Sequence, residues 1–138
     1  MDRITPETRS RVMSRIRAKD TSPEKAVRRY LHARGFRFRL HRHDLPGRPD
    51  LVLPRYATVV QVYGCFWHQH PDPNCGDAHH PRSNREYWIP KLERTRRRDR
   101  RNQAALEAMG WNVEIIWACE IFEDRLQQLV DSLRRRIA

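Results

Sequence analysis

Long apolar runs are what this sequence lacks first. Nothing in its 138 residues reaches the length of a membrane span, and no apolar core follows the N-terminus as a secretory leader requires. A reducing cytoplasm is therefore the expected setting. Cysteine is scarce and odd in number, three in all, so the thiols cannot all pair within the chain. In a reducing compartment, clustered Cys and His point to a metal rather than to disulfides. Lysine is scarce for so basic a chain: Lys19, Lys25 and Lys91 are the only ones among 28 cationic residues. Acids number 17, which leaves a net charge of +11 and a pI near 10.7. Arginine carries that charge, and its planar fork grips phosphate bidentately and stacks on bases, so the composition points to nucleic acid. Hydrophobic residues make up 38% and mean hydropathy is −0.90, which suits one modest core in one domain spanning 1–138.

What the chain does have is concentrated in residues 62–75, VYGCFWHQHPDPNC. Two cysteines, two histidines and the adjacent aromatics Phe66 and Trp67 follow directly on ATVVQVY, a run that reads as a buried strand. A hydrophobic strand running into Cys, His and Trp reads as a site carried on the end of a sheet.

Along the chain, Thr5-Pro6-Glu7 is a helix start, followed by a weakly apolar basic segment (Val12, Met13, Ile16) that orders on a partner. Residues 1–20 are therefore expected to be a DNA-contacting arm. Ser22-Pro23-Glu24 opens a clearer helix with Ala26, Val27, Tyr30 and Leu31 on one face and Gly35 closing it. FRFRL alternates as a strand with Phe36, Phe38 and Leu40 on one side. A Pro- and Gly-containing loop then leads to Asp50, which begins the strand DLVL; Pro54-Arg55-Tyr56 turns it back into ATVVQVY. That hairpin sets Asp50 and Tyr63 at one edge of the sheet. Residues 64–84 are expected to be irregular. Ser83-Asn84 caps a helix holding Tyr87, Trp88, Ile89 and Leu92 and running to Gly110, with Pro90 near its start. WNVEIIWAC is a strand, and the last helix turns Ile121, Leu126, Leu129, Val130 and Leu133 inward. The order ααβββαβα defines a mixed α/β fold.

Cys65, His70 and Cys75 are spaced by four intervening residues each, and Cys119 is remote. Three thiols and an imidazole fit a tetrahedral structural zinc, which would also hold the polar, proline-rich loop in order. His68 and the tandem His79-His80 compete for the fourth place; an ordinary buried cysteine is the plainer account of Cys119. Phosphodiester cleavage needs neutralised phosphate charge, an activated water and a proton donor. A hard cation such as Mg2+ serves the first two through oxygen ligands, and Asp50 is the best-placed carboxylate. His68 suits the proton transfer, with Asp99 in RRRDRR as its orienting partner. The plainer accounts are a turn aspartate at Asp50, an i,i+4 pair at Asp99 and a helix-dipole carboxylate at Glu24.

PGRPD, GCFWHQH, REYW, the arginine-rich helix with its Asp, and GWNVEIIWAC, taken in that order, resemble the very-short-patch repair mismatch endonucleases, the Vsr family. The similarity runs from about Met13 to Cys119. It implies a restriction-endonuclease-like mixed sheet flanked by helices, with a structural zinc site. It also implies Mg2+-dependent nicking of double-stranded DNA at T:G mismatches left by 5-methylcytosine deamination. By the same resemblance Asp50 holds Mg2+, with the Val62 backbone carbonyl as a second contact, and His68, Asp99 and Glu24 serve catalysis. Cys65, His70, Cys75 and Cys119 hold zinc. Phe66, Trp67 and Trp88, with Met13, engage the duplex, while Arg94, Arg97 and Arg101 contact phosphates. Implied too are a monomer, no membrane partner, a functional link to a cytosine-5 DNA methyltransferase, and a bacterial, nucleoid-associated location. The chain departs from the family where Val62-Tyr63 replaces Thr-His before GCFWH, which makes Tyr63 an unusual catalytic candidate, since tyrosine is a poor base near neutral pH. The interval from His70 to Cys75 is also longer than in the family pattern. A same-fold nuclease for another lesion or methylated site, or a DNA-binding module without cleavage, are the competing readings.

Overall fold

A computed structural model of the chain describes residues 21–78 and 81–136. The helix start at Thr5-Pro6-Glu7, Met13 and the pair His79-His80 lie outside the described residues.

Helix α1 spans Ser22–Ala33. Thr21 is its N-cap, accepting a hydrogen bond from the Glu24 backbone N–H at 3.4 Å. Pro23 in the first turn forfeits a donor that would have no intrahelical partner. Gly35, at φ +89°, ends the helix in a left-handed conformation that other residues adopt only at a cost. Strands β1 (Arg39–Leu40), β2 (Leu51–Leu53), β3 (Thr58–Tyr63) and β4 (Asn112–Trp117) form one sheet in that order. The first three pair antiparallel; β3 and β4 run parallel, Val60 against Glu114 and Tyr63 against Trp117. The FRFRL strand is much shorter than its alternation predicts. Only Arg39 and Leu40 join the ladder and both are exposed, whereas Phe36 and Phe38 pack into the core ahead of it.

Parallel pairing of β3 with β4 requires a crossover. It is supplied by a short helix α2 (Cys65–His68), the loop through Gly76–Ala78, and the long helix α3 (Arg85–Ala108). Helix α4 (Glu123–Arg135) follows β4. The period-2 alternation of the strands divides two cores. Leu51, Leu53, Val60 and Ile116 face α1 and α4, packing on Val27, Leu31, Leu126, Leu129, Val130 and Leu133. Val52 and Val59 face α3 through Leu106, with Leu45, Trp111 and Val113. Helices on both faces explain why LVL is buried at every position. Each fully buried Leu or Val in this set contributes about 1.5–3 kcal/mol. The architecture is the expected mixed α/β sheet flanked by helices. The segment 64–84 is more regular than predicted: Cys65–His68 forms a helical turn, closed by Gln69 at φ +49°.

Candidate active site and metal centre

The C-terminal end of β3 carries two clusters. One is a cleft of about 860 Å³ lined by Glu24, Asp50, Val62, Tyr63, His68 and Asp99, so the residues proposed from sequence for Mg2+ binding and proton transfer meet there. The turn before β2 fits tightly against α3. At Gly47, φ +74°, a Cβ would stand 3.0 Å from Asn102 Nδ2, so both conformation and space call for glycine in PGRPD.

Asp50 is half-hidden at the base of the cleft. Its Oδ2 accepts the Val62 backbone N–H at 2.6 Å. Burial is the main influence on its carboxyl and pushes its pKa up to about 7; the Val62 N–H opposes this, Glu24 adds to it, and Arg28 opposes it. A carboxylate costly to ionise in the bare protein is one that a cation would relieve. The set Glu24, His41 and Asp50 has ligand atoms all within 4.8 Å of one another. Oxygen donors of this kind fit a hard divalent ion. Glu24, buried at the start of α1, also pairs with Arg28 at 3.2 Å.

His68 sits at the end of α2, and its Nδ1 lies 2.5 Å from Asp99 Oδ2. Since the carboxylate accepts, Nδ1 carries the proton and Nε2 is the free nitrogen. Tyr63 stacks on the same imidazole, centroids 3.9 Å apart. Burial raises the Tyr63 pKa further above the ordinary phenol value, with Asp99 and Asp50 adding to it, so Tyr63 is a neutral phenol here and not a base.

The second cluster is the sulfur-rich one. Cys65, His70, Cys75 and Cys119 offer ligand atoms all within 4.8 Å of one another, with Cys119 Sγ 3.3 Å from His70 Nδ1. None of the three cysteines is in a disulfide. Three thiols and an imidazole converging from α2, its following loop and the turn after β4 suit a tetrahedral metal. Of the competing histidines, His68 is engaged by Asp99 instead. Burial raises the Cys65 thiol pKa, a penalty that a bound cation would reverse.

The aromatics gather at the start of α3. Trp67 and Trp88 are buried with Leu92, Phe66 packs at their edge, and the rings meet edge to face at 5.5–5.7 Å. Lys91 lies over Trp67 and Tyr87, 5.2 Å from each ring. Tyr87, 41% exposed, is the outermost ring of this group. Arg94, Arg97 and Arg101 fall at helical spacing and line a shallow groove with Lys91, Thr95 and Arg98. Arg98 also lines the cleft, so the basic groove runs alongside it.

Sequence reasoning missed several residues in the cleft or in contact with its carboxylates. His41 reads as one loop histidine among two, yet it turns at φ +47° so that Nδ1 stands 3.8 Å from Asp50 Oδ1. Arg28 Nη2 is 3.1 Å from His41 Nε2; as arginine only donates, that ring nitrogen accepts. Nothing local in the sequence marks His41. Arg28 had a signal, the i,i+4 spacing from Glu24, and Gln61 had one too, as the lone amide in an apolar strand.

Comparison with known proteins gives the family. The family model for DNA mismatch endonuclease Vsr matches residues 1–74. The type II nicking enzyme V.XorIIP of Xanthomonas oryzae is 49% identical over 135 residues, covering 94% of this chain and 97% of the relative. The type II nicking enzyme V.NmeAIP of Neisseria meningitidis is 39% identical over 138 residues, 96% of each chain. DNA mismatch endonuclease Vsr of Escherichia coli is 39% identical over 114 residues, 83% of this chain and 71% of the relative. By class, the protein is a DNA endonuclease, a hydrolase of phosphodiester bonds. The chain belongs to the DNA mismatch endonuclease Vsr family. Among its described residues no helix is long and apolar enough to cross a membrane.

Proposed function

We propose that this endonuclease nicks one strand of duplex DNA at T:G mismatches arising from 5-methylcytosine deamination, with Mg2+ as cofactor and zinc as a structural ion. The observation that carries the reading is the convergence of Asp50 and the His68–Asp99 pair in one cleft. Asp50 and the Val62 carbonyl would hold Mg2+, which when bound supplies charge neutralisation at the phosphate and a more acidic water. Asp99 holds the His68 ring in one tautomer, and His68 Nε2 takes or returns a proton at the reacting oxygens. Tyr63 backs the ring and keeps it from turning. Glu24 and Arg28 set the charge around Asp50 from the α1 side. Cys65, His70, Cys75 and Cys119 would hold zinc, fixing α2 and so the position of His68.

Selectivity for a mismatch has a physical basis in deformability. A T:G pair is less stable than a matched pair, so unstacking beside it costs less. Phe66, Trp67 and Trp88 are the rings assigned to that wedge; in the free protein they are packed on one another, so engagement draws them from a preformed cluster. Arg94, Arg97 and Arg101 would add phosphate contacts that carry no sequence information. A duplex with one T:G mismatch in varied flanking sequence, assayed with Mg2+ and with EDTA beside its matched counterpart, tests the reading. Nicking confined to the mismatch and dependent on Mg2+ is expected. Nicking at another lesion would reassign the target, and binding without nicking would make Tyr63 the mark of a DNA-binding module that has lost cleavage.

A further inference from the structure

Two arginines reach the cleft from separate parts of the chain. Arg48 stands in the turn before β2, and Arg98 lies on α3 one residue ahead of Asp99; both line the cleft with Asp50 and His68. The turn and the helix pack together. Arg98 and Asn102 are four residues apart and share one face of α3. Gly47 sits so close to Asn102 that a Cβ there would stand 3.0 Å from its Nδ2, and Arg48 is the next residue. That contact brings Arg48 and Arg98 to the same side of the cleft.

Both side chains are exposed, and among the described residues neither guanidinium has a hydrogen-bond or ion-pair partner. The acids of the cleft are engaged elsewhere: Asp99 with the His68 ring, Asp50 with the Val62 N–H, Glu24 with Arg28. Like charges gathered without a counter-ion repel, and an anion entering the cleft removes that cost. The guanidinium selects which anion, because its parallel N–H donors match the two non-bridging oxygens of a phosphodiester. Position separates this pair from the other arginines. Arg94, Arg97 and Arg101 line the basic groove and not the cleft, whereas Arg98 lines both. A DNA backbone that tracks the groove therefore meets the cleft at Arg98.

We propose that Arg48 and Arg98 clamp the scissile phosphate, each donating to a non-bridging oxygen, as catalytic residues of the nicking reaction. Donors held there in advance stabilise the charge that gathers on the phosphate as it is attacked. The assignment rests on the reading of this cleft as the place where the strand is cut. Two duplexes test it, alike except for a neutral methylphosphonate at the phosphate where the wild-type protein nicks. Affinity of the full-length protein for each is measured by fluorescence anisotropy without divalent ions, so that no cation contributes. Wild type should bind the methylphosphonate duplex about tenfold more weakly than the natural one. A double variant, Arg48→Gln with Arg98→Gln, should bind the two alike. Arg94→Ala should bind both more weakly and keep the tenfold difference. Single-turnover nicking of the natural duplex at saturating protein should fall about a hundredfold in Arg98→Gln, and Arg98→Lys should recover only part of it. A full methylphosphonate penalty in the double variant, or none in wild type, would overturn the clamp even if nicking fell. Nicking retained in Asp50→Asn would move the cut out of this cleft and overturn both the clamp and the reading beneath it. Should the double variant not fold, the single variants decide: a reduced penalty in each supports the clamp, and a full penalty in either removes that arginine from it.

Discussion

The His68 imidazole lies flat on the Tyr63 ring, centroids 3.9 Å apart and planes 4° apart. Trp117 meets the other side of this column, edge-on to Tyr63 at 5.3 Å and stacked on His70 at 4.3 Å. A run of rings therefore joins the His68–Asp99 pair to the sulfur cluster, so each site braces the other. Tyr63 acts in it as a neutral plate. Tyr63→Phe should keep nicking within a few-fold, and Tyr63→Ala should lower it about tenfold or more as His68 gains freedom. Because burial raises the phenol pKa, no loss of activity between pH 8 and 9.5 should be traceable to Tyr63; single-turnover rates of wild type and Tyr63→Phe across that range check this.

Asp50 carries a pH signature with a definite sign. Its carboxyl titrates near 7 when folded, against 3.8 as its ordinary value. Between those values the folded chain keeps a proton that the unfolded chain has lost. Stability from this group therefore falls as pH rises from about 4 to about 7, by up to about 1.4 kcal/mol per pH unit, and is level above that. Thermal melts without divalent ions should show Asp50→Asn gaining on wild type between pH 4.5 and 7.5. Parallel curves for the two proteins would mean that Asp50 is already ionised in the folded state. Added Mg2+ should narrow the gap at pH 7.5, because the cation takes the place of the proton.

The zinc proposed at the sulfur cluster is a structural ion, so its removal should unfold a region and not merely empty a site. Cys119→Ser should lower bound zinc from about one per chain to a small fraction and lower the melting temperature by several degrees or more. Nicking should fall with it, through Cys65, α2 and the ring column to His68. Elemental analysis and melts of the purified variant test this, and an unchanged zinc content would remove Cys119 from the ligand set.

The tryptophans and Phe66 should separate stability from discrimination. Trp67 is 5% exposed and Trp88 2%, so Trp67→Ala should cost about 3–5 kcal/mol of stability whatever it does to DNA. Phe66, at the edge of that cluster, tests the wedge more cleanly. Phe66→Ala should lower the ratio of T:G to matched nicking with a smaller loss of stability. An equal ratio in a well-folded Phe66→Ala protein would return the ring to a packing role.

A good deal of this was legible in the residues themselves. ATVVQVY and DLVL are strands because alternate apolar positions serve two cores, and the Leu and Val of the last helix face inward at helical spacing. That Cys65, His70, Cys75 and Cys119 gather in one cluster, and Asp50, His68 and Asp99 in one cleft, was legible because few residue types do such chemistry, and here they stand in recognisable blocks. The brevity of β1 and the helical turn at Cys65–His68 were not, since both depend on contacts remote in sequence. Tertiary structure alone decided what surrounds Asp50. Strand register sets His41, Asp50 and Gln61 side by side across three strands: Leu40 pairs with Leu51, and Leu51 with Val60. The left-handed turn at His41 then brings its ring between Asp50 and Arg28. Packing of α3 on the sheet carries Asp99 to His68. It also buries Trp67 and Trp88, which look in sequence like rings free to meet DNA. Periodicity and composition tell which side chains leave water; which polar groups then meet is fixed by register and helix docking, and those are properties of the whole chain.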